Sequence, residues 1–373
     1  MKKVRLGDIA TVITKGTTPT TLGYNFVDDG VNFVKIESIT ENGEFLTDKF
    51  AHITDECDRK LSRSQLQRND LLFSIAGAIG RTAIVTEEIL PANTNQALAI
   101  IRVPEGVVDY SYLKYVLQSP TIVEQFEKKK QGVAQLNISL KDIGDFVIPL
   151  RIAEEQKSIV TTMDKVSGLI ALRKEQLAKL NQLVKSRFIE LFGDPITNPM
   201  GWKLHRFDSL CENLDSRRKP ITASEREAGV YPYYGASGIV DYVAGYLFDE
   251  NILLVSEDGA NLLMRSTPIA FSVSGKVWVN NHAHVVRFEK MSMQKYIEVF
   301  FSLIDISDHI TGSAQPKLNQ AKLNAMMFPV PSEERLDAFL QFIEQTDKSK
   351  LAIQQSLDKL ELLKKSLMQE YFG

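Results

Sequence analysis

The sequence has few cysteines and no long apolar segment. Its 373 residues include two cysteines, Cys57 and Cys211, which lie far apart and show no metal-ligand spacing, so they fit a reducing compartment. The N-terminal residues lack the apolar core of a signal peptide, and no apolar run approaches the ~18 residues that span a bilayer. We therefore expect a cytoplasmic protein with no membrane partner.

Catalytic and metal-binding motifs are also missing. The sequence has no Gly-x-x-x-x-Gly-Lys-Ser/Thr loop, no His-Glu-x-x-His pair and no Cys-x-x-Cys pair. Gly77 and Gly80 are too close together for a dinucleotide fingerprint and are more typical of a hairpin turn. His282 and His284 face one side of a predicted strand and could form a metal pair, but no third ligand is evident nearby. We predict no catalytic residue, no metal and no cofactor bound by this chain, which favours a recognition role.

Charge of one sign is not in large excess. The formal net charge is −3 and the sequence pI is near 6.1, which argues mildly against a protein that holds nucleic acid by bulk charge alone. Local basic patches, or partners that share the phosphate contacts, are compatible with this charge. The 44% hydrophobic and 24% charged residues are typical of a globular protein, and the length predicts two or three domains.

The stretch Ala153–Phe192 contains no proline, and Gly168 is its only glycine. Its apolar residues recur in alternating steps of four and three, which is the pattern of a heptad seam on a helix. These residues are Ile159, Met163, Val166, Ile170, Leu177, Leu180, Val184 and Leu191. Arg173 and Arg187 interrupt the seam, and Gly193 supplies a helix stop. We predict one long helix.

A second stretch, residues 332–372, repeats this register 180 residues later. Its seam positions are Phe339, Ile343, Thr346, Lys350, Ile353, Leu357, Leu360, Lys364, Leu367 and Tyr371. Ile353 stands where the first stretch has Arg173, and Leu367 where it has Arg187, so polar positions in one stretch are apolar in the other. Two such helices in one chain would most simply bury their seams against each other. Two unrelated surface helices are the plainer alternative.

The segments before the two helices predict mixed domains on a similar plan. In residues 1–150, alternating or apolar runs predict strands, and Tyr110–Lys130 predicts a helix. The predicted strands are Val31–Ile39, Asp70–Ile75, Thr82–Val85 and Ala97–Val103. Residues 194–331 repeat several features. The matched segments are Asp70-Leu-Leu-Phe-Ser with Asn251-Ile-Leu-Leu-Val-Ser, Asn95-Gln-Ala-Leu with Asn281-His-Ala-His, and Pro149 with Pro329.

Loops rich in polar side chains occupy similar places in both domains. Arg, Lys, Asn and Gln can bond to base edges in the major groove, and Thr and Ser can bond to bases or phosphates. The candidate DNA-binding residues are Lys15, Thr17, Thr18, Lys35, Arg81, Asn93, Asn95, Gln96, Gln135, Arg217, Arg218, Lys219, Tyr234, Asn280, Asn281, His282, Gln315 and Lys317. For any single one, a solvated loop is the plainer interpretation. Packing within a strand is the plainer interpretation for Tyr234, and fixing a loop is the alternative for Gln135 and Gln315.

Several short motifs occur twice in the same order. They are Gly132-Val-Ala-Gln135 and Gly312-Ser-Ala-Gln315, Ile148-Pro-Leu with Glu154-Glu-Gln156, Phe328-Pro-Val-Pro with Glu333-Glu334, and Phe192-Gly-Asp-Pro195. Each motif is weak by itself, but their duplicated order is specific. Through these motifs the chain resembles the specificity subunit of type I restriction–modification systems. The resemblance covers essentially the whole chain. The second copy departs locally from the first, since Arg335 stands where Gln156 leads one to expect glutamine, and Pro316 replaces Leu136.

The resemblance implies an α+β fold with two mixed target-recognition domains, 1–150 and 194–331, separated by two helical spacers, 151–193 and 332–373. The spacers would pack as an antiparallel coiled coil with a pseudo-two-fold internal repeat. Each domain would read one half of a bipartite, asymmetric site in double-stranded DNA. Two methyltransferase subunits would use S-adenosylmethionine to methylate adenine, and restriction subunits would use ATP and Mg²⁺ to translocate and cleave DNA. This chain would carry no catalysis itself.

Three alternatives stay open at this point. The chain could be the equivalent subunit of a fused restriction–methylation enzyme, or an adaptor whose coiled coil spaces two protein-binding domains without contacting DNA. It could also be an enzyme with an unrecognised site near His282 and His284. Separate methylase and translocase genes beside its own would favour the first hypothesis over the fused enzyme.

Overall fold

The computed structural model describes residues 2–127, 137–312 and 315–373. The chain has an α+β fold in two compact units: unit 1 contains Met1–Leu172 and Leu357–Gly373, and unit 2 contains Arg173–Ser356. Each unit combines one sheet-containing head with parts of two long helices. The boundaries predicted at residues 150, 193 and 331 divide domains from helical spacers in chain order, and they do not coincide with the limits of the two compact units. These boundaries stay predictions. Among the described residues, no helix is long and apolar enough to cross a membrane.

The head of unit 1 is built from small sheets and short helices. Its strands are β1 (Lys2–Arg5), β2 (Val12–Lys15), β3 (Val31–Val34), β4 (Ala51–Ile53), β5 (Leu71–Ser74), β6 (Thr82–Ile84), β7 (Ala92–Thr94), β8 (Leu98–Arg102) and β9 (Val147–Leu150). Its helices are α1 (Leu6–Ile9), α2 (Asp55–Lys60), α3 (Tyr110–Leu117), α4 (Pro120–Glu127) and α5 (Leu140–Gly144), and the long helix α6 (Ala153–Phe192) follows. One sheet is antiparallel in the order β2-β8-β5-β6, another has the order β4-β3-β7, and β1 pairs with β9. Strand β5 is internal and wholly buried, as its apolar sequence favours.

The head of unit 2 has a similar set of elements. Its strands are β10 (Lys203–Arg206), β11 (Glu212–Asn213), β12 (Ala228–Gly235), β13 (Gly238–Val243), β14 (Phe248–Asp249), β15 (Ile252–Ser256), β16 (Ala270–Val273), β17 (Lys276–Val279), β18 (Ala283–Arg287) and β19 (Met327–Val330). Its helices are α7 (Asn261–Met264), α8 (Met291–Leu303) and α9 (Gln320–Ala325), followed by the long helix α10 (Glu333–Phe372). The sheet orders are β11-β18-β15-β16 and β13-β12-β17-β14, and β10 pairs with β19.

The two heads share one sheet plan. The order β2-β8-β5-β6 in unit 1 corresponds strand by strand to β11-β18-β15-β16 in unit 2. The register agrees as well, since Ser74 pairs with Leu98 in unit 1 and Ser256 pairs with Ala283 in unit 2. The second sheets both contain a parallel pair, β3 with β7 and β12 with β17. The predicted match between the two strands that end in serine, β5 and β15, is therefore confirmed.

The single helix predicted over Tyr110–Lys130 is wrong. α3 ends at Leu117 and α4 begins at Pro120, so two short helices stand in its place. Proline has no N–H to donate and its ring clashes with the preceding turn, so it ends one helix and is tolerated at the first position of the next. Residues 128–130 lie outside the described part of the chain.

The strand predictions in unit 1 are confirmed with shorter bounds. β5, β6 and β8 each lie inside a predicted run. The run Val31–Ile39 is a strand only as far as Val34, because Ile36–Ser38 form a 3-10 helix. Between β5 and β6, Gly77 and Gly80 have φ angles of 71° and 89°, a backbone conformation that favours glycine in the predicted turn.

The two long helices show the same burial pattern 180 residues apart. α6 and α10 are both 40 residues long, and their bounds agree with the predicted stretches to one residue. All ten seam positions predicted for the second helix are buried or half-buried. Four further buried side chains at the C-terminal ends were not predicted as seam residues: Phe188, Phe192, Met368 and Phe372.

Within each unit, one half of α6 packs against one half of α10. In unit 1, Ile159 and Met163 share a core with Met368 near the end of α10. In unit 2, Phe188 near the end of α6 shares a core with Phe339 near the start of α10. The start of one helix thus meets the end of the other in both units, which confirms antiparallel packing of the two seams.

The match of Arg335 to Gln156 is wrong by one residue. Because α10 repeats α6 180 residues later, Gln156 corresponds to Leu336, and both side chains are buried. Arg335 instead donates a hydrogen bond to the carbonyl of Leu191 near the C-terminus of α6. Arg151 makes the equivalent bond in unit 1, where its Nη2 lies 3.0 Å from the carbonyl of Tyr371. Each arginine places its charge where the helix dipole is negative.

Candidate nucleic-acid interface

In the head of unit 1, two predicted loops come together where strands β2 and β8 meet. The amide of Gly16 donates to the carbonyl of Asn95 at 3.1 Å, and the hydroxyl of Thr18 lies 2.6 Å from Oε1 of Gln96. A Cβ on Gly16 would stand 1.7 Å from the carbonyl oxygen of Thr94, so only glycine allows this close approach. The structure therefore gathers the candidates Lys15, Thr17, Thr18, Asn95 and Gln96 on one edge, where Gln96 is exposed.

Asn93 is not available to DNA, contrary to its place among the candidates. Its side chain is fully buried, and its amide nitrogen donates to Asp58 at 2.8 Å and to the carbonyl of Leu61 at 3.2 Å. Its Oδ1 accepts a hydrogen bond from Ser64 at 2.7 Å. A buried amide with donor and acceptor both engaged holds the fold together, which is the physical reason for the correction.

Two more candidates in unit 1 are engaged within the head. The guanidinium of Arg81 donates to the carbonyls of Ile36 and Ile39, at 3.3 and 2.7 Å. The ammonium of Lys35 lies 4.3 Å from the ring centroid of Phe26. Both residues are half-buried, so the structure assigns Arg81 to loop stabilisation and leaves Lys35 at the surface beside an aromatic ring.

In unit 2, Arg218 is the centre of a partly buried ionic network. Its side chain is 13% exposed, and Nη1 donates to Glu257 and to the carbonyl of Ala283, both at 2.7 Å. Its Nη2 lies 3.3 Å from Asp215. A guanidinium enclosed by two carboxylates and a carbonyl has little capacity left for a phosphate or a base. The expectation that Arg218 contacts DNA is corrected for this reason.

The two carboxyl groups of this network are held in the ionised form. Burial works to raise the pKa of Asp215, but the hydrogen bond from His284 and the charge of Arg218 outweigh it, so the pKa lies below its ordinary value. Burial also works against ionisation of Glu257, and hydrogen bonds from Arg218 and Lys317 lower its pKa. Charge pairing therefore fixes both carboxylates beneath the edge of the head.

Asp215, Glu257 and His284 lie close enough together to resemble a metal site, with ligand atoms within 4.8 Å of one another. Nδ1 of His284 lies 2.7 Å from Asp215, and Nε2 lies 2.8 Å from the carbonyl of Leu318. A carbonyl only accepts hydrogen bonds, so Nε2 donates to Leu318, and Nδ1 is the ring nitrogen that faces the two carboxylates. Arg218 already brings a positive charge to the centre of the cluster and pairs with both carboxylates, so these residues do not fit a cation.

His282 has different surroundings from His284. Its side chain is 49% exposed, and Nδ1 lies 2.9 Å from Asp258. His284 is buried at 1% exposure, so the two rings share no partner that could make them a metal pair. The structure leaves His282 at the surface of the predicted binding edge, next to the exposed Asn281.

The loop that contains Gln315 and Lys317 lies on the same edge of unit 2. Lys317 Nζ is 3.0 Å from Glu257, and the amide of Leu318 donates to the carbonyl of Glu257 at 2.8 Å. Unit 1 has the equivalent bond, from Ile138 to the carbonyl of Ile75, at 3.1 Å. Both heads therefore place the segment after their Gly-x-Ala-Gln motif against the end of the internal strand. Gln315 is exposed, and Gln135 lies outside the described residues.

Asn280, rather than Asn281, is the equivalent of Asn95. Oδ1 of Asn95 accepts from the amide of Ala97 at 3.0 Å, and Oδ1 of Asn280 accepts from that of His282 at 2.8 Å. Both asparagines stand three residues before β8 or β18 begins, so the predicted match was displaced by one. Asn280 is only 7% exposed and stabilises its turn.

The remaining candidates in unit 2 differ in exposure. Arg217 is 42% exposed and pairs with Glu250 at 2.7 Å. Lys219 is exposed, and its backbone carbonyl accepts from a tryptophan. The ring of Tyr234 is half-buried in β12, 6.0 Å from that of Phe271, which supports strand packing, and burial raises its pKa. The acidic partners of these residues were not predicted from the sequence, although Asp215 precedes Arg218 by three positions, which is one helical turn.

Comparison with known proteins agrees with this duplicated geometry. A family model described as the type I restriction modification DNA specificity domain matches residues 1–182 and 199–367. The chain belongs to this family. The two matches correspond to the two heads, each with part of a long helix, and the family predicted from the duplicated motifs is confirmed. As a type I specificity subunit, the chain is classed with the DNA-recognition subunits rather than with the enzymes.

Curated relatives of this specificity subunit include two Escherichia coli proteins. The chain is 30% identical to the type I restriction enzyme EcoBI specificity subunit over 177 residues, which is 46% of this chain and 36% of that protein. It is 24% identical to the EcoprrI specificity subunit over 341 residues, or 86% of this chain and 81% of that one. The matched segment covers 33% of a further relative from Haemophilus influenzae, so the chain spans about a third of the length of two of these relatives.

A solved structure supports the fold of this specificity subunit. The type I restriction–modification S subunit from M. genitalium has a TM-score of 0.57 and 15% sequence identity, covering 100% of this chain and 96% of that chain. At this identity the likeness speaks for the fold alone. It confirms the expected α+β architecture with two sheet-containing domains and long helices.

Proposed function

We propose that this specificity subunit reads a bipartite, asymmetric site in double-stranded DNA, one half with each head. The observation that carries the proposal is the shared sheet plan of the heads, which puts different polar side chains on the same edge. In unit 1 these are Lys15, Thr17, Thr18 and Gln96, and in unit 2 they are Asn281, His282, Gln315 and Lys317. Equivalent edges with dissimilar side chains fit two dissimilar half-sites.

The chemistry of these exposed and half-buried groups suits the major groove. Glutamine and asparagine can bond bidentately to adenine, lysine can bond to guanine, and threonine can bond to bases or phosphates. The carboxylates beneath the edge, Asp258 and Glu257, hold His282 and Lys317 in place. Pre-ordered side chains lose less conformational entropy when they bind, so this support favours a defined sequence preference.

We further propose that partner subunits supply the catalysis. Two methyltransferase subunits with S-adenosylmethionine would methylate adenine, which must leave the base stack before it can react. Restriction subunits would use ATP and Mg²⁺ to translocate and cleave unmodified DNA. The net charge of −3 fits a chain whose partners share the phosphate contacts. Such a complex would act in the cytoplasm, where it meets incoming DNA.

Methylation mapping tests this function directly. The chain is expressed with a type I methyltransferase subunit from its own genome, and methylated adenines are mapped across the host genome. We expect one two-part motif with different half-sites and a fixed gap. Exchanging the edge residues of unit 1 alone, for example Gln96→Ala with Thr18→Ala, should relax one half of the motif and leave the other unchanged. Methylation at a single undivided motif, or none, contradicts the proposal.

A further inference from the structure

The turn of the β12–β13 hairpin lies at the predicted binding edge of unit 2. Its two residues, Ala236 and Ser237, connect strands that pair up to the turn. The hydroxyl of Ser256, at the end of the internal strand β15, donates to the carbonyl of Ala236. The amide of Asn280 donates to the carbonyl of Tyr234 at 3.0 Å. The turn is therefore fixed to the strand ends that carry the candidate residues of this edge.

Two consecutive apolar residues beside this turn are exposed. The side chains of Ile239 and Val240 are 47% and 55% exposed, although successive side chains of a regular strand point to opposite faces of the sheet. Tyr233 pairs with Asp241, and the next residue of β12 pairs with Ile239, so Val240 is an extra residue in the pairing. Such a β-bulge re-aims side chains, which fits two neighbouring apolar groups that both reach the surface.

Gly235 makes room for the bulge. A Cβ placed on this glycine would stand 3.1 Å from Cγ1 of Val240 and 3.4 Å from Nδ2 of Asn280. Val240 and Asn280 thus flank the glycine from two strands. The contact places the apolar pair on the same edge as the polar candidates.

The corresponding place in unit 1 has a different structure. β3 and β4 stand where unit 2 has β12 and β13, but residues 35–50 separate them, and no two-residue turn connects them. The residues after β3 form a 3-10 helix, Ile36–Ser38, and the carbonyl of Ile36 accepts from Arg81. The shared sheet plan therefore does not require the hairpin turn, and the exposed apolar pair is particular to unit 2.

Thymine is the base that offers an apolar group in the major groove. Its C5 methyl group stands beside the O4 acceptor, whereas the other three bases present only donors and acceptors there. The major groove admits a two-stranded β-ribbon, and the pairing of β12 with β17 ends at Tyr234, so the hairpin ends as two strands. A protein partner needs a much larger surface, since stable protein interfaces bury about 800 Å² on each side.

We propose that Ile239 and Val240 read thymine methyl groups in the half-site of unit 2. This inference rests on the proposed function and adds a base preference to it. The exposed Asn281 and His282 select donors and acceptors, and the apolar pair selects A·T pairs with thymine on a defined strand. Burial of one methyl group strengthens binding by about fourfold.

The test compares thymine with uracil, which pairs identically but lacks the C5 methyl group. Duplexes carry the mapped motif, and thymines are replaced one at a time in the half-site that Gln96→Ala with Thr18→Ala leaves unchanged. The full chain, in complex with a type I methyltransferase subunit from its own genome, is titrated with each duplex. Uracil at one or two positions should weaken binding of the wild-type complex about threefold to tenfold.

Removing the apolar side chains should abolish this difference between thymine and uracil. Ile239→Ser with Val240→Ser should weaken binding to thymine DNA by a similar factor and show no further loss on uracil DNA. The two single variants, tested alongside, should each remove part of the difference. Methylation mapping of the double variant should show a relaxed half-site for unit 2 and an unchanged half-site for unit 1.

Val230→Ser is the matched control. Val230 lies in β12 of the same hairpin and is 77% exposed, but it stands at the end away from the turn. This variant should discriminate thymine from uracil as the wild type does. Circular dichroism of every variant checks that the chain is folded.

The results that overturn the inference are distinct from those that end the proposed function. A half-site of G·C pairs alone, or wild-type binding that uracil does not change at any position, contradicts methyl recognition, while a two-part motif still supports the proposed function. The same preference for thymine in the double variant as in the wild type shows that other residues read the methyl group, and its loss in Val230→Ser shows that the turn does not define the contact. A wild-type complex without a two-part motif ends the proposed function and the inference together.

Discussion

The guanidinium of Arg218 joins strands and loops of unit 2 that are far apart in sequence. Its donors reach Glu257 and the carbonyl of Ala283, each at 2.7 Å. The neighbouring Arg217 is 42% exposed, pairs with Glu250 and lies 4.5 Å from the ring centroid of Phe248. Two adjacent arginines therefore have separable roles, one in the stability of the head and one at its surface.

Replacing Arg218 by alanine should destabilise unit 2. The carboxylates of Asp215 and Glu257 would lose their guanidinium partner while still partly buried, and breaking such a network costs about 3 kcal/mol of unfolding free energy. Arg217→Ala is the matched control and should change the unfolding free energy by less than about 1 kcal/mol, because its ion pair is exposed. Chemical denaturation of both variants measures these values. Wild-type stability in Arg218→Ala would contradict the structural role.

These residues also show what the sequence could not reveal about the site. The sequence shows which residue types could bind DNA, but whether their side chains are exposed depends on partners that are distant along the chain. Asn93 is held by Asp58, 35 positions away, and Arg218 by Glu257, 39 positions away. Because such contacts form only in the folded head, the sequence could not show that Asn93 and Arg218 are held inside it, and the binding edge itself stays a prediction.

At the scale of elements, the long helices were the most predictable part of the fold. A heptad pattern is set by residues three and four apart, so the register of α6 and α10 follows from local sequence. The predicted helix over 110–130 failed for an equally local reason, since Pro120 begins a new helix. Packing at the helix ends, for example of Phe188, depends on the heads and was not visible in the seam pattern.

Gly168 is the weakest residue of α6 in helix propensity, and Gly168→Ala should stabilise the protein. It is exposed within the helix, and a Cβ placed on it would meet nothing within 4 Å. Alanine in an exposed helix interior is favoured over glycine by about 0.5–1 kcal/mol, because glycine loses more backbone entropy on folding. Thermal unfolding should show a small rise in Tm. Gly16→Ala is the opposite control and should lower it, because Thr94 blocks a Cβ there. A lower Tm for Gly168→Ala would show that the flexibility of this turn is needed.

At the scale of the whole molecule, each head packs against the C-terminal end of the long helix that follows the other head in sequence. In unit 1, Phe372 at the end of α10 packs on Tyr112 with ring centroids 5.5 Å apart. In unit 2, Phe192 at the end of α6 packs on Tyr296 at 4.9 Å. The hydroxyls of these tyrosines donate to the carbonyls of Pro149 and Pro329, at 2.9 and 2.7 Å. Each head is thus completed by the helix that follows the other head.

This arrangement predicts a long-range effect of truncating one aromatic side chain. Phe372→Ala should destabilise unit 1 by about 3–5 kcal/mol, because it leaves a cavity against Tyr112, although position 372 follows the second head in sequence. Phe192→Ala should do the same to unit 2. Hydrogen exchange followed by mass spectrometry distinguishes them: faster exchange should appear in residues 2–127 for the first variant and in residues 203–312 for the second. Each variant serves as the control of the other. If either variant accelerated hydrogen exchange mainly in the head that precedes its own helix in sequence, the packing of each helix end against the other head would be refuted.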